Sequence, residues 1–144
     1  MGYMLDTNIF NRLAEGALFM GDLPINGEFF ATSIQIQELN ATKDHAYRAI
    51  LIAKFTEMGP KLDRVKTTLW GYASWSEGSW GGVGDYFRKI KDEMDMLNKN
   101  KASNSADALI GEVSISNHHT LITTDKHLAE VVEKHGGGVL KISC

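Results

Sequence analysis

The chain has 144 residues, a formal net charge of -3, 43% hydrophobic and 23% charged residues, and a single cysteine, Cys144. That length suits one compact domain with a real core and is short for two, so residues 1–144 are expected to form a single domain. No apolar run reaches the length of a membrane span, the start lacks the pattern of a signal peptide, and one cysteine excludes an internal disulfide or a cysteine-built zinc site; a cytoplasmic protein without membrane contact is expected.

In chain order, Tyr3-Met4-Leu5 reads as a short buried strand, stopped by the turn-prone Asp6-Thr7-Asn8. Ile9 and Leu13 then sit at helical spacing. Residues 16–27, with Pro24 and several glycines, read as loop. Phe29 to Thr32 is a second strand. Thr32 and Gln35 have capping-box spacing, which starts a helix, while the alternation of Ile34 and Ile36 would prolong the strand; both options stand. Residues 43–57 read as a helix with Ala46, Tyr47, Ile50, Leu51 and Lys54 at helical offsets, broken by Gly59-Pro60. A further helical piece is expected around Leu62, Val65 and Leu69.

Residues 70–84 hold all three tryptophans with many glycines and serines, and read as a long loop or excursion from the core. Asp85 to Asn98 is helical, with Phe87, Ile90, Met94 and Leu97 in one apolar stripe. Lys99 to Ser105 reads as polar linker. A helix follows through Ala106, Leu109, Ile110 and Val113, with Asn104 as its N-cap. Thr120 to Thr123 is a strand, Lys126 to His135 a helix closed by Gly136, and Val139 to Ile142 a last strand. Strands alternating with helices predict an α/β domain with a mostly parallel sheet, whose ligands bind beyond the carboxyl ends of its strands.

Four acids gather at that edge. Asp6 follows the first strand, Glu38 lies about a turn into the helix after the second, and Asp125 follows the third. Asp107 opens the helix that feeds the third strand; such a helix runs antiparallel to its strand, so its start lies at the same edge. Two unit charges 4 Å apart repel by roughly 4 kcal/mol at an effective dielectric near 20. Some of these acids therefore stay protonated, or a cation sits among them. Oxygen-only ligands select hard ions, and Mg²⁺ or Mn²⁺ suits a phosphate-handling site. Taken singly, each acid also has a structural reading as turn, cap or exposed helix residue.

The charge balance pulls the other way, since nucleic-acid binders are often basic. Acids sunk in a metal site soften that objection, because the cation inverts the local charge. Basic residues are also clustered: Lys43, His45, Arg48 and Lys54, then Lys61, Arg64 and Lys66, then Arg88, Lys89 and Lys91, then Lys99 and Lys101. Solvated helix faces explain these groups as well as phosphate contacts do.

The motifs carry a resemblance. Met4-Leu5-Asp6-Thr7-Asn8 resembles the opening motif of PIN domains, and Thr32 through Glu38-Leu39 resembles their second. Ser105-Ala106-Asp107-Ala108-Leu109-Ile110 is similar to the third, and Leu121 through Asp125 to Leu128 to the fourth. The set spans nearly the whole chain in the family's order. It implies a three-layer α/β/α sandwich and Mg²⁺- or Mn²⁺-dependent cleavage of RNA. The closest fit is to VapC-type toxins, which pair with a small antitoxin and form homodimers. By carry-over, Asp6, Glu38, Asp107 and Asp125 hold metal and act in catalysis, with Thr7 and Thr123 as hydroxyl supports. The implied reaction is in-line hydrolysis leaving a 5′-phosphate and a 3′-hydroxyl. Two features depart from the pattern: the stretch between Glu38 and Asp107 is long, and Leu128 stands where an aromatic is common.

Two other readings compete. One is a receiver- or phosphatase-like α/β domain; a haloacid-dehalogenase-type site wants a second Asp at the position of Asn8. The other is a PIN-like module that binds RNA or protein without catalysis. Trp70, Trp75 and Trp80 suit base stacking, an interface or the core. Gly78, Gly81, Gly82 and Gly84 follow no strand, so a phosphate loop is not expected. His118 and His119 are read as surface or structural residues, and no serine has the context of a hydrolase triad.

Overall fold

A strand covered by helices on both faces needs apolar residues on both, and the central strands meet that need with consecutive rather than alternating apolar pairs. Met4 and Leu5 are both fully buried, as are Leu121 and Ile122. In each pair one residue faces each way. Met4 and Leu121 join one core cluster, while Leu5 and Ile122 join the other.

The computed structural model describes residues 2–24, 26–65, 85–99 and 103–143. The Trp- and Gly-rich excursion expected at 70–84 lies outside these residues, as does Cys144. Along the chain run β1 (Gly2–Leu5), α1 (Thr7–Glu15), a 3-10 turn (Met20–Asp22), β2 (Glu28–Ala31), α2 (Ser33–Asn40), α3 (His45–Met58) and β3 (Lys61–Leu62). After the undescribed stretch come α4 (Asp85–Asn98), α5 (Ser103–Ser116), β4 (Thr120–Thr123), α6 (Lys126–Lys134) and β5 (Gly138–Lys141). The five strands form one sheet in the order β3-β2-β1-β4-β5, and every pairing is parallel. One core lies between the sheet and α4, α5 and α6, built on Ile90, Met94, Leu109 and Val132. The other lies beneath α1 and α3, built on Ile9, Phe10, Leu13 and Leu51. This is the expected α/β/α sandwich.

The open question at Thr32 resolves as a helix start. The Thr32 hydroxyl accepts the Ile34 N–H at 3.1 Å, and Gln35 Oε1 accepts the Thr32 N–H at 2.8 Å. That reciprocal cap ends β2 at Ala31.

Several local expectations need correction. Lys61 and Leu62 do not begin a helix; they form a two-residue edge strand beside β2. Leu69 lies outside the described residues. Asn104 does not cap α5. It sits inside the helix, fully buried, and its side-chain amide donates to Asp95 at 2.9 Å. On α3, Leu51 is buried but Ile50 is 45% exposed, and on α4 the stripe ends at Met94, since Leu97 is 44% exposed. The last strand starts one residue early, at Gly138.

Gly2 shows why one position tolerates no side chain. A Cβ there would collide with the His119 ring, which lies over the Phe30 ring with centroids 4.0 Å apart. His119 Nε2 meets Asp63 Oδ2 at 2.7 Å. His119 is thus a packing residue held among Gly2, Phe30 and Asp63, and His118 is exposed at a left-handed φ of 57°.

Candidate metal centre

The strand order turns at β1: the chain steps outward to β2 and β3 on one side, and later to β4 and β5 on the other. In an open parallel sheet, the carboxyl ends of strands at such a turn splay apart and leave a crevice. Asp6 is the first residue past β1, and Asp125 is the second past β4.

Asp6 is only 3% exposed. Its backbone N–H continues the sheet by donating to the Ile122 carbonyl at 3.0 Å. Its side chain caps α1, with Oδ1 accepting the Thr7 N–H at 2.8 Å. Its other oxygen, Oδ2, accepts the Thr123 hydroxyl at 2.6 Å. The Thr123 oxygen in turn accepts the Asp125 N–H at 3.0 Å. On the other flank, the Thr7 hydroxyl donates to Glu38 Oε1 at 2.6 Å. An unbroken line of contacts therefore runs from Glu38 through Thr7, Asp6 and Thr123 to Asp125.

These are hydroxyl and amide donors, and none brings positive charge. Among the described residues, neither Asp6 nor Glu38 forms an ion pair. The proton affinities respond accordingly. Burial raises the Asp6 pKa most, and the nearby charges of Glu38 and Asp125 raise it further. The bonds from Thr123 and Thr7 pull it down, and it settles at about 7, against an ordinary 3.8. Burial also raises the Glu38 carboxyl, opposed by the Thr7 hydroxyl.

Asp125 keeps a structural duty as well. Its Oδ1 caps α6 by accepting the N–H groups of His127 and Leu128 at 2.9 and 3.2 Å. Asp107 is half-buried, four residues past the start of α5. That helix packs against β1 and α2 before the chain turns into β4. Asp107 has an interaction partner of its own, and it is not among the charges that move Asp6. The structure thus joins Asp6, Glu38 and Asp125 electrostatically, with Thr7 and Thr123 between them.

Among the described residues, no three His, Cys, Asp or Glu side chains stand close enough together to hold one ion as placed. Carboxylates without a counter-ion repel, and closing them on a cation requires side-chain movement. The donor chemistry does fit a hard divalent cation: all-oxygen ligands, excess negative charge, and a buried acid still carrying its proton near neutrality.

No family model and no curated protein matches the chain. Solved structures do. VapBC2 from Rickettsia felis, bound to a DNA fragment from its promoter, superposes with a TM-score of 0.62 at 16% identity over 98% of both chains. VapBC-1 from nontypeable Haemophilus influenzae gives a TM-score of 0.55 at 16% identity, again over 98% of both. The fold is PIN-like. VapBC-5 from Mycobacterium tuberculosis, described as a member of the VapBC family of toxin–antitoxin systems, covers 99% of this chain and 98% of its own at 16% identity, with a TM-score of 0.50. At such identities the likeness establishes the PIN-like architecture and says nothing residue by residue.

Two residues of this PIN-like edge escaped the sequence reading as site elements. Asn8 Oδ1 accepts the Thr124 N–H at 3.4 Å, tying α1 to the turn that carries Asp125. Gln35, fully buried, reaches from α2 to the Leu5 carbonyl at 2.8 Å. Its capping-box spacing was visible in the sequence, but a partner 30 residues away was not. In the basic clusters, Lys54 pairs with Glu57, Lys61 with Glu28 and Lys91 with Asp95, while Lys66 and Lys101 lie outside the described residues.

Proposed function

We propose that the chain is a Mg²⁺- or Mn²⁺-dependent endoribonuclease, the toxin of a toxin–antitoxin pair. The observation that carries this is Asp6: a buried carboxyl at a parallel-sheet crevice, with two acids beside it and no cationic partner among the described residues. Asp6, Glu38, Asp107 and Asp125 are the residues that would hold the cation, by their positions at one edge. When bound, the cation would polarise a phosphodiester and lower the pKa of water.

The chain's own groups prepare that site. Thr7 and Thr123 each fix one carboxylate oxygen of an acid, leaving its second oxygen oriented. Asp6 gives up its proton around neutrality, so cation uptake releases a proton and strengthens as pH rises through about 7. The likeness to VapBC structures supports a small antitoxin as partner. A homodimer and a cytoplasmic location belong to the same proposal. Among the described residues, no helix is long and apolar enough to cross a membrane.

A second reading, a PIN-like module that binds without cutting, draws on the open spacing of the acids. One assay separates the two. Labelled single-stranded and structured RNAs are incubated with Mg²⁺, Mn²⁺ or EDTA and either the native chain or Asp6→Asn. Cutting that needs metal and vanishes in the variant supports the nuclease. RNA binding without cutting, in protein that takes up no metal, supports the module.

A further inference from the structure

The β1–β2 ladder pairs Gly2 with Glu28, Tyr3 with Phe29 and Met4 with Phe30, and then the strands part. Beyond that point two buried backbone groups lack their rung: the Leu5 carbonyl and the Thr32 N–H. Such groups are costly to leave unpaired. One side chain serves both. Gln35 Oε1 accepts the Thr32 N–H at 2.8 Å, and Gln35 Nε2 donates to the Leu5 carbonyl at 2.8 Å. The Thr32 hydroxyl also donates to Oε1, and the Met4 sulfur lies 3.4 Å from Nε2. A side-chain amide has the same donor and acceptor as a peptide group. Gln35 therefore acts as an inserted rung, wider than a backbone one.

That rung lies between two acids. The Leu5 carbonyl belongs to the peptide bond whose nitrogen is Asp6, and that N–H is held from the other side by Ile122. Glu38 is three residues beyond Gln35 on α2, one turn along the same helix. We propose that Gln35 is a positioning residue of the acidic site, setting the separation of Asp6 and Glu38 through the Leu5–Asp6 peptide and the first turn of α2. The inference rests on the four-acid reading above and adds a residue that contributes no ligand atom. Outer partners that hold ligands in place commonly affect metal affinity by about 10–100-fold.

The test is Mn²⁺ affinity, measured by calorimetry on the full chain at a temperature where each variant is folded. Gln35→Met keeps the volume and loses both backbone hydrogen bonds and the one from the Thr32 hydroxyl. Gln35→Asn keeps the amide but is one methylene short of the span, which serves if the first variant does not fold. Val132→Ala, a core truncation on the second turn of α6, controls for lost stability alone. The expected result is Mn²⁺ binding weakened about 10–100-fold in either Gln35 variant, with Val132→Ala close to the native chain. Native-like affinity in a folded Gln35 variant, or a loss matched by Val132→Ala, overturns the positioning role. No Mn²⁺ binding by the native chain overturns the acidic-site reading itself, and the inference falls with it.

Discussion

At the junction of α4 and α5, Asp95 accepts Lys91 Nζ at 2.7 Å and the Asn104 amide at 2.9 Å, and its pKa lies below the ordinary value, chiefly through the Lys91 bond. At the carboxyl ends of β1 and β4, Asp6 also accepts two hydrogen bonds, yet its pKa is raised to about 7. The count of bonds is the same. What differs is burial and the sign of the neighbours. Two further acids stand against bases: Asp63 against His119, and Glu93 against His135 and Lys134. At the β1–β4 edge the acids stand against threonines and more acids. Asp95 is neutralised within the fold, whereas Asp6 is not met by a cation among the described residues, which is what the proposed metal site requires.

Substitutions in the two regions test that contrast. The largest expected effect is on cleavage: Glu38→Gln lowers metal-dependent RNA hydrolysis on the order of 10²-fold or more, while Asp95→Asn leaves it near native in the same assay. Next is Thr123→Val, which removes a donor to Asp6 and an acceptor for the Asp125 N–H. It costs about 1–3 kcal/mol in denaturant unfolding, and it moves the Asp6 titration still higher, because the Thr123 bond is what lowers it. Asp63→Ala, which strips His119 of its partner, costs on the order of 1 kcal/mol and leaves Mn²⁺ affinity unchanged by calorimetry. Smallest is Lys91→Ala, a partly exposed helix pair worth less than about 1 kcal/mol by thermal melting.

Much of this contrast can be read from the sequence, for a topological reason. Once short apolar strands alternate with helices, every residue just past a strand lies at one edge, so Asp6 and Asp125 were placed by connectivity alone. Glu38 was expected on the helix after the second strand, but where that helix begins stayed open, because Thr32 offered a cap while Ile34 and Ile36 alternated like a strand. The motif resemblance supplied Thr7 and Thr123, whose hydroxyls do lie between the acids. Other features left no trace. Lys61 and Leu62 form an edge strand although both are exposed, so burial wrote no pattern there. Asn104 looked like a cap because it precedes an apolar helix; its amide instead reaches across to α4. Ile50 keeps helical offset but faces solvent, since periodicity gives the angle between residues and not the direction of the core. The rung at Gln35 depends on a contact between residues 30 apart.

The charge of Asp6 can be read through stability. A carboxyl whose folded pKa is raised contributes stability that is present below about 3.8 and lost as pH rises through about 7. The direct measurement is the difference in unfolding free energy between the native chain and Asp6→Asn, from pH 4 to 8, with and without Mn²⁺. Without metal, the native chain should lose stability relative to the variant as pH rises, by on the order of 1–4 kcal/mol, and level off above pH 7. Mn²⁺ should restore the native chain and leave the variant unchanged. A difference that stays flat across that range and ignores Mn²⁺ would mean that Asp6 is an ordinary helix cap, and that the edge is not a cation site.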